Sequence, residues 1–296
     1  MQYPVFSRCE SPVIRPRAVP VVLLLLALLV FGVAGWGNRT GVPTTLHADA
    51  VSGARDRAIV SAHEGATRDV IASIIRDLGL PVPSEFSVFV YPSRDRFREG
   101  LVRDAHIAPA RAAELAEFAI GVGKRRVLLF NDDGTAGHGR EWVRLVAHEL
   151  THLAQFELAE GEGRGEQWLA EGLAEWTAFT VLERLGLDTV ARRRRLASVG
   201  IRDGFSGEPL RLGLEGLGTP RGFTTRHQRD GALPIYQLAF LLADNLIRRN
   251  GIERVAGYFR SFQGRADRYE NFELAFGQSL AAFEAEFEAR LRNAAR

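Results

Sequence analysis

Three residue types occur only once in this chain of 296 residues: methionine as Met1, cysteine as Cys9 and lysine as Lys124. A lone cysteine excludes an intramolecular disulfide and any cysteine-rich zinc site. Cys9 also precedes the long apolar run, so it lacks the setting of a lipid-modified cysteine. Nearly all other basic residues are arginine, which we read as coding composition. Charge of one sign is equally scarce. The net charge is +2, and Arg8, Arg15, Arg17 and Arg39 against Glu10 and Asp49 account for it. The residues that follow carry 34 basic and 34 acidic side chains. No nucleic-acid partner is expected from so even a balance. The run Arg192–Arg195 reads as a solvated helix face, and the glycine-rich Gly161–Gly165 follows no strand, which excludes a phosphate loop. No internal repeat is evident.

What is present begins with hydrophobic residues. They make up 46% of the chain and charged residues 25%, the proportions of a folded globular protein. Ala18 to Gly37 contains no charge and is 20 residues long, about the length that spans a bilayer core. Arginines crowd before it, so residues 1–37 read as a cytoplasmic N-terminus followed by a transmembrane or signal segment. Membrane contact is expected through residues 18–37. The body then lies outside the cytoplasm, as a single-pass protein of a bacterial-type membrane, or secreted if the segment is a cleaved signal. Residues 38–53 read as a linker and 54–296 as one domain.

Within that domain the apolar spacing predicts a helix over 54–79. Strands are predicted at 86–91 and 126–130, and helices open at Ser93 and over 109–119. Gly121 and Gly123 break the pattern, and Asn131–Gly134 reads as a turn. Beyond residue 139 the chain is helical, at 139–159, 167–185, 187–198, 235–249, 252–263 and 278–293. The stretch 200–231, with eight glycines, reads as a long loop. The fold class expected is α+β: a small N-terminal mixed or antiparallel sheet, then a mainly helical half.

The chemistry lies in His148-Glu149-Leu150-Thr151-His152. At i and i+4 the two imidazoles share one helix face, one turn apart, and both can reach one zinc ion. Glu149 follows the first ligand and can serve as general base without competing for the metal. With seven His and 23 Glu in the chain, chance gives such a motif in roughly one chain in eighty. The motif therefore needs a third ligand. Glu171 supplies one; eighteen residues separate it from His152, with a glycine-rich turn between two helical stretches. Helices joined by that turn can pack antiparallel and aim Glu171 at the histidines. Glu175, one turn further on, is the expected carboxylate partner of His148, because zinc-bound histidines usually donate their second N–H. One Zn²⁺ per chain is expected.

Residues 142–176 resemble the glutamate-ligand zincins, the peptidase MA-like superfamily of zinc metallopeptidases. The His-Glu-x-x-His motif, the spacing to Glu171 and its Trp-Leu-x-Glu-Gly setting are similar to aminopeptidase N-type enzymes. That family often carries an acidic residue where Glu175 stands. The segment Ile235–Gly251 and the stretch Ala275–Glu284 look like the C-terminal part of small bacterial members. The resemblance implies hydrolysis of a peptide or protein substrate. It further implies that Tyr236 stabilises the oxyanion, with His227 a rival for that task or a simple loop histidine. It also implies an edge strand at Val127, Leu128 and Leu129 that holds the substrate backbone. One departure limits it: where aminopeptidases carry an acidic amine-binding motif, Ile120–Arg126 is basic. An endopeptidase or a carboxyl-side preference is therefore expected. The alternatives are a membrane-tethered zincin-fold scaffold without turnover, or a zinc hydrolase of a non-peptide substrate.

Overall fold

The computed structural model describes residues 46–47, 67–132, 139–204 and 212–294. The run 18–37 and the cleavage sites near it lie outside these residues. Among the described residues no helix is long and apolar enough to cross a membrane.

Four strands form one mixed sheet in the order β1-β2-β4-β3: β1 Leu46–His47, β2 Ser87–Tyr91, β3 Gly121–Lys124 and β4 Val127–Asn131. The pairs β1–β2 and β2–β4 are parallel, and β4–β3 is antiparallel. The segment expected to be a linker thus contributes a two-residue strand. Helices α1 (67–77), α2 (Arg94–Arg103) and α3 (Pro109–Phe118) accompany the sheet. Ser93 caps α2 by accepting from the Arg96 N–H, and Pro109 opens α3 where no amide donor is needed. Alternation along β4 divides the core. Leu128 and Phe130 face the main core, while Leu129 faces a smaller cluster with Tyr91, Phe97, Leu101, Ala112 and Ala116.

Two sequence expectations change here. Gly121 and Gly123 do not merely break a pattern; they lie within β3, the edge strand. Val127, Leu128 and Leu129 belong to β4, which is paired on both sides, with Ser87, Val88 and Phe89 on β2 and with Lys124, Gly123 and Val122 on β3. Their backbone is already bonded on both sides, so the edge strand at this end of the sheet is β3.

The second half is helical: α4 Gly139–Ala159, α5 Gln167–Arg184, α6 Val190–Gly204, α7 Leu214–Leu217, α8 Pro220–Asp230, α9 Ala232–Asn250, α10 Ile252–Arg260, α11 Arg268–Phe276 and α12 Leu280–Ala294. The expected loop at 200–231 instead holds the end of α6, then α7 and α8. Thr219 caps α8 and Pro220 starts it; Gly213, Gly218 and Gly231 flank the short helices, while Gly216 and Gly222 lie within them. Also unforeseen is α11, which Asp267 caps through the amides of Tyr269 and Glu270.

Helix α5 is the centre of this half. It is apolar on nearly every side and buried from Trp168 to Leu182, apart from Trp176, which marks a helix enclosed by others. Gly172 sets its distance from α9: a Cβ there would lie 2.1 Å from the Ala239 carbonyl oxygen. On its other flank α5 meets α4 in antiparallel register, pairing Gln155 with Ala170, His148 with Glu171 and Arg144 with Glu175.

Candidate metal centre

His148 and His152 project from α4, and Glu171 comes from α5 opposite them. The two Nε2 atoms are 3.1 Å apart. Glu171 Oε2 lies 3.2 Å from His148 Nε2 and 3.5 Å from His152 Nε2. His148, Glu149, Glu171 and Glu175 are all buried. Glu171 Oε2 is sealed from water and faces only the two Nε2 atoms, whereas its other oxygen accepts from Gln167 Nε2 at 2.8 Å.

The far sides of both imidazoles fix their tautomers. His148 Nδ1 stands 3.1 Å from Glu175 Oε1. That carboxylate also takes Arg144 Nη1 at 2.5 Å. Burial works against the charge on Glu175, but Arg144 and His148 hold its pKa below the usual carboxylate value. An ionised carboxylate only accepts, so Nδ1 of His148 carries the hydrogen. For His152 the partner is Gln155, which spacing alone did not single out. Gln155 Nε2 donates to the Ala170 carbonyl at 2.8 Å, which turns its Oε1 to His152 Nδ1 at 2.9 Å. Both Nε2 lone pairs therefore face Glu171 Oε2.

This donor set fits a zinc ion. Tetrahedral bonds of about 2.0–2.1 Å place donors about 3.3–3.4 Å apart. The three edges of the donor triangle, 3.1, 3.2 and 3.5 Å, bracket that spacing. The chain offers two imidazoles and one carboxylate, the set that zinc takes at catalytic sites with one position left over. Without an ion the same atoms clamp protons. Burial lowers the basicity of His148, but Glu171, Glu175 and Glu149 overcome it and push its pKa up to about 10. His152 is raised against burial by Glu171. Glu171 is held far below its ordinary value by both histidines in spite of its burial.

Glu149 lies between the triangle and β3. Its carboxylate packs against the backbone of Gly121 and Gly123. A Cβ on Gly121 would lie 2.8 Å from Glu149 Oε1. Burial pushes the Glu149 carboxyl up, opposed by the two histidines and by the Gly123 amide. Both glycines have ordinary φ values, so space and not backbone strain demands them here. The end of β3 is fastened to the α4–α5 turn: Lys124 pairs with Glu162, whose other oxygen accepts from the Arg125 amide at 2.7 Å.

Tyr236 and His227 stand on the opposite wall. Tyr236, on α9, has its ring 6.0 Å from that of His148 and 6.1 Å from that of His227. Burial and the carboxylates of Glu171, Glu149 and Glu175 raise its phenol well above the ordinary value, so it stays a donor. His227 is not a loop residue but part of α8. Its ring lies 4.7 Å from Phe118, and its buried Nδ1 has no hydrogen-bond partner. Together with β3 these residues enclose a cleft of about 460 Å³ over the donor triangle.

Comparison with known proteins finds no family model, no curated protein and no solved structure that matches the chain.

Proposed function

We propose that the chain is a zinc-dependent hydrolase of peptide bonds, built like the glutamate-ligand zincins, with His148, His152 and Glu171 holding one ion and Glu149 as general base. The observation that carries this reading is the buried triangle of Nε2, Nε2 and Oε2 atoms, whose edges match tetrahedral zinc. When bound, zinc supplies a Lewis acid that polarises a carbonyl and makes water acidic.

The remaining chemistry belongs to the chain. Glu149, made more basic by burial, takes a proton from the attacking water and returns it to the leaving amine. Tyr236, kept protonated, donates to the oxygen that becomes negative. The open edge of β3 bonds an extended peptide backbone and holds the scissile bond above Glu149. Glu175 and Gln155 keep the imidazoles aimed. The acidic residue on the β3 side of the cleft, Glu162, is occupied by Lys124 and the Arg125 amide, which favours cleavage inside a chain. The compartment, membrane-bound or exported, rests on residues 18–37 alone.

The test is zinc content and peptide cleavage by full-length protein in detergent. About one zinc per chain is expected in the wild type and in Glu149→Gln, and none tightly bound in His152→Ala. Cleavage is expected only in the wild type. Wild-type protein without zinc, or Glu149→Gln that still cuts, would overturn the assignment.

A further inference from the structure

A groove of about 530 Å³ lies between α10 and α11. Its volume falls within the ~300–1,000 Å³ typical of ligand sites. It shares no lining residue with the cleft over the donor triangle. Its walls are tied in place. Arg254 Nη1 reaches from α10 to the Ala275 carbonyl on α11 at 3.4 Å. The turn Ser261–Gln263 after α10 is fastened to the end of α4: Gln263 Nε2 donates to the Leu158 carbonyl at 2.9 Å. Arg164 Nη1 donates to the Phe262 carbonyl of the same turn at 2.7 Å.

The groove carries an unmatched charge. Arg254, Arg260 and Arg265 line it against Glu253 alone, three positive charges to one negative. Arginines on neighbouring helices are matched: Arg249 and Arg290 meet Glu286, and Arg268 meets Glu166. Among the described residues, the Arg260 and Arg265 side chains have neither an ion pair nor a hydrogen bond. Two further features stand beside them. Asn271 is 0% exposed, and its Nδ2 donates to the Arg265 carbonyl at 3.3 Å. Its Oδ1 has no donor, an exception that calls for one. Leu274 is 58% exposed on the same wall. One class of occupant serves all three. Carboxylates match the guanidinium forks, a backbone N–H supplies the donor for Asn271, and an apolar side chain covers Leu274. A phosphate ion would serve the arginines alone. A nucleic acid would find no aromatic ring among the lining residues on which to stack a base.

We infer that the groove between α10 and α11 is a docking site for an acidic segment of a polypeptide, whose carboxylates Arg254, Arg260 and Arg265 hold. The inference does not depend on the function proposed above.

The test uses two labelled peptides of mixed Glu and Leu, identical except that one carries Gln in place of every Glu. Binding is read by fluorescence polarisation on full-length Glu149→Gln protein in detergent, so that cleavage does not intrude. The Glu peptide is expected to bind tighter than the Gln peptide, and less so as salt rises. Adding Arg260→Gln and Arg265→Gln should weaken the Glu peptide by about three- to tenfold, the sum of two exposed ion pairs, and leave the Gln peptide unchanged. Both arginines are exposed, so the thermal melt and the zinc content should match those of the parent. Equal binding of the two peptides would overturn the inference. A Glu preference that survives the double change, or that is lost in His152→Ala instead, would overturn this location. Displacement of the Glu peptide by millimolar inorganic phosphate, with the same loss of phosphate binding in the double variant, would overturn the polypeptide assignment in favour of a small-anion site. Binding to vesicles rich in anionic lipid or to single-stranded DNA that the double change abolishes, without binding of the Glu peptide, would overturn it as well.

Discussion

Replacing Gly121 by alanine tests the placement of the general base with a single methyl group. The backbone at Gly121 has an ordinary φ, so alanine brings no strain of its own. The new Cβ would stand 2.8 Å from Glu149 Oε1, 2.9 Å from its Cγ and 3.1 Å from its Cδ. Ordinary contact begins at 3.4 Å, so the carboxylate must retreat by about 0.6 Å. A misplacement of 1 Å costs roughly 100-fold in rate. Scaled to this shift, Gly121→Ala should lose about ten- to thirtyfold in kcat, or about 1.4–2 kcal/mol of barrier. Zinc content should not change, because the new methyl meets Glu149 and none of the three donor residues. Gly123→Ala is the internal control. Its Cβ would meet the Glu149 carbonyl and Oε2 at 3.2 Å and His152 Cβ at 3.3 Å, so its loss should be smaller. The assay is steady-state cleavage of a peptide substrate, with metal analysis on the same preparations. Full activity in Gly121→Ala would refute the claim that Glu149 works from its position against β3.

Four further outcomes follow from the same geometry. Gln155→Leu removes the acceptor for His152 Nδ1 and the side-chain donor to the Ala170 carbonyl; zinc affinity should fall about 10–100-fold in a chelator competition, and unchanged affinity would refute the orienting role. Zinc binding at pH 8 should release about one proton or more, because His148 with a pKa near 10 is protonated in the metal-free site; calorimetry in buffers of different ionisation enthalpy reads this, and zero release would contradict it. The linked effect has a definite sign: a histidine raised from 6.5 to about 10 stabilises the metal-free fold fully below pH 6.5 and loses that contribution as pH climbs to 10, so metal-free protein should melt lower at pH 10 than at pH 7. Gly172→Ala drives a methyl into the Ala239 carbonyl, and α5 and α9 must part, at a cost of about 1–3 kcal/mol, seen as a Tm several degrees lower.

The grouping of His148, His152 and Glu171 was legible because its signals are local. Two histidines at i and i+4 need only one helix, and Glu171 and Glu175 lie a turn apart on the next. Gln155 also sits three residues after His152 on the same face, a spacing that would have exposed it had each imidazole been asked for its second partner. β3 escaped because a four-residue strand with two glycines has almost no β propensity; only the close approach of Glu149 makes those glycines necessary. The run Val127–Phe130 was read as a strand, yet its unbroken apolar character already spoke for burial on both faces, hence for a central and not an edge position. The helices within 200–231 were hidden by glycines that here punctuate short turns. Pro220 behind Thr219 was the missed start signal.

The open edge of β3 has a second consequence. A strand border that accepts a foreign peptide accepts a neighbouring copy of the chain just as readily, and unguarded edges seed aggregation. This border is only four residues long. Its glycines give an incoming sheet nothing to grip, and it ends on the one lysine of the chain, tied down by Glu162. Brevity admits one extended segment and discourages a growing stack. Under the proposed function, holding a substrate and refusing a second copy of the chain fall to the same four residues.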